Sequence, residues 1–146
     1  MKTLLRNLLA LIAGLAIGGA VNMAIIVLSP VLIPPPPGVD VTNALSLAKA
    51  MPLFEPRHFL MPFLAHALGT LSGALVAYLL AASYKAPLSY VIGVANFCGG
   101  VAACFMIPAP AWFMALDLVL AYLPMAWLGI RLGARMQPAR RATIGV

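Results

Sequence analysis

Two histidines, three carboxylates and two cysteines are the whole stock of imidazole, carboxylate and thiol groups in this 146-residue chain. The carboxylates are Asp40, Glu55 and Asp117, and the imidazoles are His58 and His66. Glu55 and His58 stand three apart, as in the Glu-x-x-His pattern of di-iron helix bundles, but that chemistry needs several more carboxylates inside the bundle. A single divalent ion shared by His58 and His66 would have to reach across eight residues of helix. That is about 12 Å along the axis and about 80° out of register. No metal and no other cofactor is therefore expected. No serine carries a hydrolase motif, and no glycine loop is built to cradle phosphate. Cys98 and Cys104 are separated by roughly 600° of helix rotation. They form no Cys-x-x-Cys pair and read as small apolar fillers. What remains is His66 with Asp117, an acid and a base that can satisfy each other where neither could stand alone.

Such a place is the interior of a bilayer. Hydrophobic residues make up 64% of the chain and charged residues 8%, and the mean hydropathy is +1.05. A soluble domain of this length has too little interior to hide that much apolar surface. The apolar residues fall into four runs, about 7–33, 59–83, 88–107 and 112–130, each near the roughly 20 residues that span hydrocarbon. The runs are continuous rather than alternating, which disfavours a β-barrel. The breaks have local causes. The four prolines at 34–37 cannot continue a helix, and the Tyr84–Pro87 and Pro108–Pro110 stretches are proline turns. The reading is all-α: one transmembrane domain of four helices in a bundle, with a tail over 131–146. The first run is too long for a cleaved signal peptide and is read as a retained span.

Seven of the nine Lys and Arg residues fall on one side of such a topology: Lys2, Arg6, Lys85, Arg131, Arg135, Arg140 and Arg141. Only Lys49 and Arg57 fall on the other. The positive-inside rule then puts both termini in the cytoplasm of a bacterial inner membrane. The net charge of +6 is this asymmetry near anionic headgroups, so no nucleic acid is called for. The one long connection, 34–57, becomes periplasmic. It opens in polyproline geometry and carries a short helix, which Thr42 or Asn43 can cap. Asp40, Glu55 and His58 are assigned to the rim of the bundle at this mouth, His58 as a water-solvated group.

Depth can be counted along the helices. At about 1.5 Å per residue, His66 and Asp117 lie roughly 10 and 8 Å below the periplasmic ends, and Asn22 and Asn96 roughly 16 Å. With Thr70 they form one polar column in the outer half of the bundle. The inner half is left with Ser72, Tyr78 and Tyr122. An ionisable group at such depth costs about 2.5 kcal/mol or more unless paired or wetted, so His66 and Asp117 are expected within direct or one-water reach. Gly14, Gly18 and Gly19 in the first span, and Gly69 with Gly73 in the second, form stripes that let backbones approach. Trp112 and Trp127 read as interface anchors.

The stretches IPPPPGVDVTN, FEPRHFLMPFLAHALGTLSGALVA and IPAPAWFMALDLVLAYLPMAWLG resemble a group of small four-helix bacterial membrane proteins of no assigned activity. The resemblance implies a membrane fold and brings no catalytic residues. The chain does not resemble the small multidrug exporters, since its first span holds no glutamate. The expected function is a non-enzymatic scaffold, accessory or sensor component, with the lipid bilayer and a homo-oligomeric or membrane-protein partner. The alternative is a small proton-coupled transporter or permease using His66 and Asp117, and an intramembrane enzyme stands third. A wet cavity reaching Asp117 favours transport or catalysis, whereas a dry pair favours the scaffold.

Overall fold

The computed structural model describes residues 1–137, so Arg140 and Arg141 of the basic tail lie outside the described residues. These are all-helical, with no strand among them. Four helical stretches are long and apolar enough to cross a membrane: Lys2–Leu32, Pro56–Leu80, Lys85–Met106 and Ala111–Met136. The first is helix α1 (Lys2–Leu32), and a short, partly buried helix α2 (Ala44–Ala50) follows. The second stretch begins as a 3-10 turn (Pro56–Phe59) and continues as α3 (Leu60–Leu80). The third is α4 (Lys85–Met106), and the fourth divides into α5 (Ala111–Leu120) and α6 (Leu123–Met136).

The first span begins at Lys2 rather than near Asn7, the second ends at Leu80 rather than Ser83, and the fourth runs on to Met136 rather than Ile130; two further differences have a local cause. Helix α4 starts at Lys85 rather than near Leu88, taking Pro87 into its first turn, where a missing N–H costs no intrahelical bond. The fourth span is broken at Ala121 and Tyr122. The ring of Pro124 would clash with the carbonyl four residues earlier, that of Leu120, and α5 ends at that residue. Tyr122 takes φ −117° and ψ −80° as the N-cap of α6, and Pro124 then sits in the first turn, where proline is tolerated.

Helix α3 is the centre of the assembly and packs against α1, α4 and α6, with α1 and α6 on different sides of it. The α1–α3 seam is made by glycine. A Cβ on Gly14 would lie 2.7 Å from the Gly73 carbonyl oxygen, and one on Gly18 would lie 2.7 Å from that of Gly69. Gly19, grouped in the same stripe by sequence, is a correction: nothing lies within 4 Å of its Cβ position, because it faces out of the seam. Gly93 meets Ala126 across the α4–α6 contact.

The two ends differ. Where α1 begins and α6 finishes, side chains tie the elements together. The Arg6 Nε donates to the Leu80 carbonyl at 2.9 Å, and the Asn7 amide oxygen accepts from the Ala82 and Ser83 N–H groups at 3.0 and 3.2 Å. Lys85 bonds to Gln137, which in turn donates to the Leu79 carbonyl at 3.1 Å. Above this basic end lies a closed core of Ala74, Ala77, Ile92 and Ala126, all at zero exposure. Towards the loop end, Met51, Phe59 and Phe113 form a looser aromatic cluster with Leu47, Phe54 and Ile107. Cavities open beneath that cluster.

Candidate functional site

His66 projects from the second turn of α3 and Asp117 from the second turn of α5. The imidazole Nδ1 lies 2.9 Å from both carboxylate oxygens of Asp117. Asp117 is 5% exposed, so its charge depends on these bonds. A third group completes the cluster. The Tyr122 hydroxyl donates to Asp117 Oδ2 at 2.8 Å and stands 3.2 Å from His66 Nδ1. The break before α6 swings Tyr122 out of the helical path, and its ring lies over that of His66 with centroids 5.8 Å apart. Phe97 meets the Tyr122 ring edge-on at 6.0 Å. Gly100 of α4 leaves room for it, since any Cβ there would run into the Tyr122 phenol.

The arrangement fixes a tautomer. An ionised carboxylate only accepts, so Nδ1 carries the proton it shares with Asp117. Nε2 makes no hydrogen bond to the described residues and is not buried. An imidazole oriented by a carboxylate at Nδ1 presents Nε2 as a base, a ligand or a proton carrier.

Two cavities meet at this imidazole. One, of about 280 Å³, is walled by α1, α3 and α4 and lined by Asn22, Thr70, Asn96, Gly99, His66 and Tyr122 among others. Asn96 donates to the Thr70 hydroxyl at 3.0 Å. The other, of about 330 Å³, lies towards the loop end, with Phe54, Phe59, Phe113 and Met114 in its wall and Asp117 and His66 at its inner limit. His66, Gly100 and Ala103 belong to both walls. Taking roughly 30 Å³ per water, each cavity has room for about ten.

The rim residues fall out differently. Glu55 is exposed and pairs with Arg57 at 3.0 Å, and both help line a shallow pocket beside the four prolines. His58 is a correction: it is 8% exposed rather than solvated. Its Nδ1 accepts from the Glu55 N–H at 2.9 Å, and its Nε2 donates to the Pro34 carbonyl at 3.2 Å. It is a clamp between the end of α1 and the start of the second span. Asp40 lines none of these three pockets. Its Oδ1 accepts from the Thr42 hydroxyl and N–H at 2.6 and 2.8 Å, closing a local turn, and the hydroxyl first, then the N–H, holds the carboxyl below its ordinary pKa. Asn43 caps α2 by accepting from the Leu45 and Ser46 N–H groups. Among the described residues, no three His, Cys, Asp or Glu side chains converge on a point that could hold a metal. Cys104 lines the outer cavity, and Cys98 is exposed.

Tyr122 is the residue that sequence reasoning misses. Counted down a straight helix it belongs to the inner half. The available signal was Pro124, which forbids a straight helix through Leu120, together with the tilt of side chains towards a helix N-terminus. No family model, curated protein or solved structure matches the chain.

Proposed function

We propose that this chain is a bacterial inner-membrane protein, a bundle of four membrane-crossing helices that carries a small solute in exchange for, or together with, a proton held at His66 and Asp117. The observation that supports this reading most is the outer cavity, which reaches the carboxylate and the oriented imidazole rather than stopping short of them. A pair serving only to hold helix register has no need of room beside it. The positive-inside distribution supports a periplasmic 34–57 connection, and with that orientation the outer cavity faces the periplasm.

The test uses vesicles loaded with a pH dye and reconstituted with the purified protein. Panels of organic cations, organic anions and neutral solutes are added in turn. At least one class is expected to move protons, and Asp117→Asn is expected to abolish the movement. A second reading, the scaffold or accessory subunit, is favoured by the closed core of Ala74, Ala77, Ile92 and Ala126, four side chains at zero exposure that separate the basic end from the His66 site. If no solute class moves protons, and the protein instead co-purifies in fixed ratio with another membrane protein, that second reading replaces the first.

Orientation has its own test. In a background lacking Cys98 and Cys104, a single cysteine at Lys49 is expected to react with an impermeant maleimide added outside spheroplasts. One replacing Lys85 is expected to react only after lysis. The reverse pattern would invert the topology.

A further inference from the structure

The outer cavity has a particular chemistry. Among the described residues its wall holds Asp117, His58 and His66 but no Lys or Arg, and Phe54, Phe59 and Phe113 stand among the apolar residues that line the rest. Phe59 and Phe113 are in ring contact, with centroids 4.8 Å apart. Aromatic rings attract ammonium groups through the ring quadrupole, and Asp117 does so through charge whenever its imidazole partner is neutral.

We infer that this cavity takes an organic monocation, an ammonium on an apolar body about the size of a phenylethyl group, and that this cation and a proton on His66 occupy the site in turn. The inference rests on the carrier reading above. With His66 protonated the pair it makes with Asp117 is neutral. With His66 neutral the pair is a single negative charge, which an ammonium beside it balances. Proton and ammonium together would leave a net positive charge away from bulk water, where like charges repel strongly. One enters as the other leaves, so charge is conserved at each exchange. The groups that face His66 are few. Asp117 and Tyr122 of the fourth span touch it, while Cys104 of α4 and His58 of the turn before α3 line the same outer cavity. From α1 comes only the uncharged Asn22. None besides Asp117 supplies a fixed charge.

Calorimetry on the full chain in mild detergent tests this with three probes of one shape: 2-phenylethylammonium, 2-phenylethanol and 3-phenylpropionate. The ammonium is expected to bind at least about tenfold tighter than either analogue, a difference of roughly 1.4 kcal/mol. Its affinity is expected to fall about tenfold or more as the pH is lowered and protons compete for the site. Asp117→Asn is expected to remove the preference for the cation. Because that variant can fail to fold, the probe series and the pH series on the unaltered protein decide the matter without it. Equal or tighter binding of the propionate overturns the cation assignment and leaves the carrier reading standing. An ammonium affinity that does not change with pH overturns the exchange with a proton. If none of the three binds at millimolar concentration, the cation assignment falls. Proton movement by another solute class in the vesicle assay would then keep the carrier reading, and its absence there would end both.

Discussion

Gly73→Ala is expected to cost about 3 kcal/mol or more, at the upper end of what one added methyl does in a packed interior. The reason is the identity of the atom it meets. A Cβ at Gly73 would sit 2.7 Å from the carbonyl oxygen of Gly14, 3.1 Å from Ile92 Cγ2 and 3.4 Å from the Gly18 Cα. A side-chain tip can rotate away from such a contact, but a carbonyl in the middle of a helix cannot. Relief requires α1 and α3 to separate along the seam that Gly14, Gly18, Gly69 and Gly73 share. In lipid that seam is held by close dispersion contacts, which fall off steeply with separation, because no hydrophobic effect drives helices together. Gly73→Leu is expected to abolish the fold. The controls are Gly19→Ala and Gly99→Ala, glycines with nothing within 4 Å of the Cβ position, which are expected to stay within about 0.5 kcal/mol of the parent. The measurement is unfolding in mixed detergent micelles at rising dodecyl sulfate. If Gly73→Ala unfolds alongside Gly19→Ala, the seam carries none of the weight assigned to it.

The glycines also show what a sequence can and cannot disclose. Spacing alone marks Gly14, Gly18 and Gly19 as one stripe, because all are small and close in the chain. Which of them faces α3 depends on where α3 lies, and that is settled by contacts some 55 residues away. The four apolar runs were legible because each is set by local composition. The starts and stops beside prolines were legible to within about a turn, since proline acts on its own neighbourhood, whereas the first start and the last stop, read where no proline stands, lie five and six residues further out. His66 and Asp117 sit at matching depth by simple counting, and the counting works because α3 and α5 are regular from their loop ends to these residues. It fails for Tyr122, which lies beyond a break. It fails differently for His58. Nothing near position 58 says that the Pro34 carbonyl, at the end of α1, comes within 3.2 Å of its ring. A polar residue that looks solvated in one dimension becomes a buried clamp in three.

His66→Ala is expected to destabilise the protein by about 3 kcal/mol, the low end for leaving a buried carboxylate without its partner. The low end applies because the His66 side chain is 28% exposed and because Tyr122 still donates to the stranded carboxylate. Asp117→Ala is expected to cost less. It leaves His66 Nδ1 and the Tyr122 hydroxyl, already 3.2 Å apart, free to bond to each other, and it strands no charge. The double variant His66→Ala/Asp117→Ala is expected to be more stable than His66→Ala alone, since the carboxylate that made the single change expensive is gone. Its cost should fall short of the sum of the two single changes by about 1 kcal/mol or more, as for residues in one hydrogen-bonded network. Unfolding of the four proteins in the same mixed micelles measures the cycle. Strict additivity would mean that the 2.9 Å contact between imidazole and carboxylate contributes no coupling. The two side chains would then be neighbours without being partners, and a proton on one would have no bearing on the charge of the other. A double variant less stable than His66→Ala would go further. It would mean that Asp117 is held by the protein for its own sake, with Tyr122 rather than His66 as the group that keeps it there.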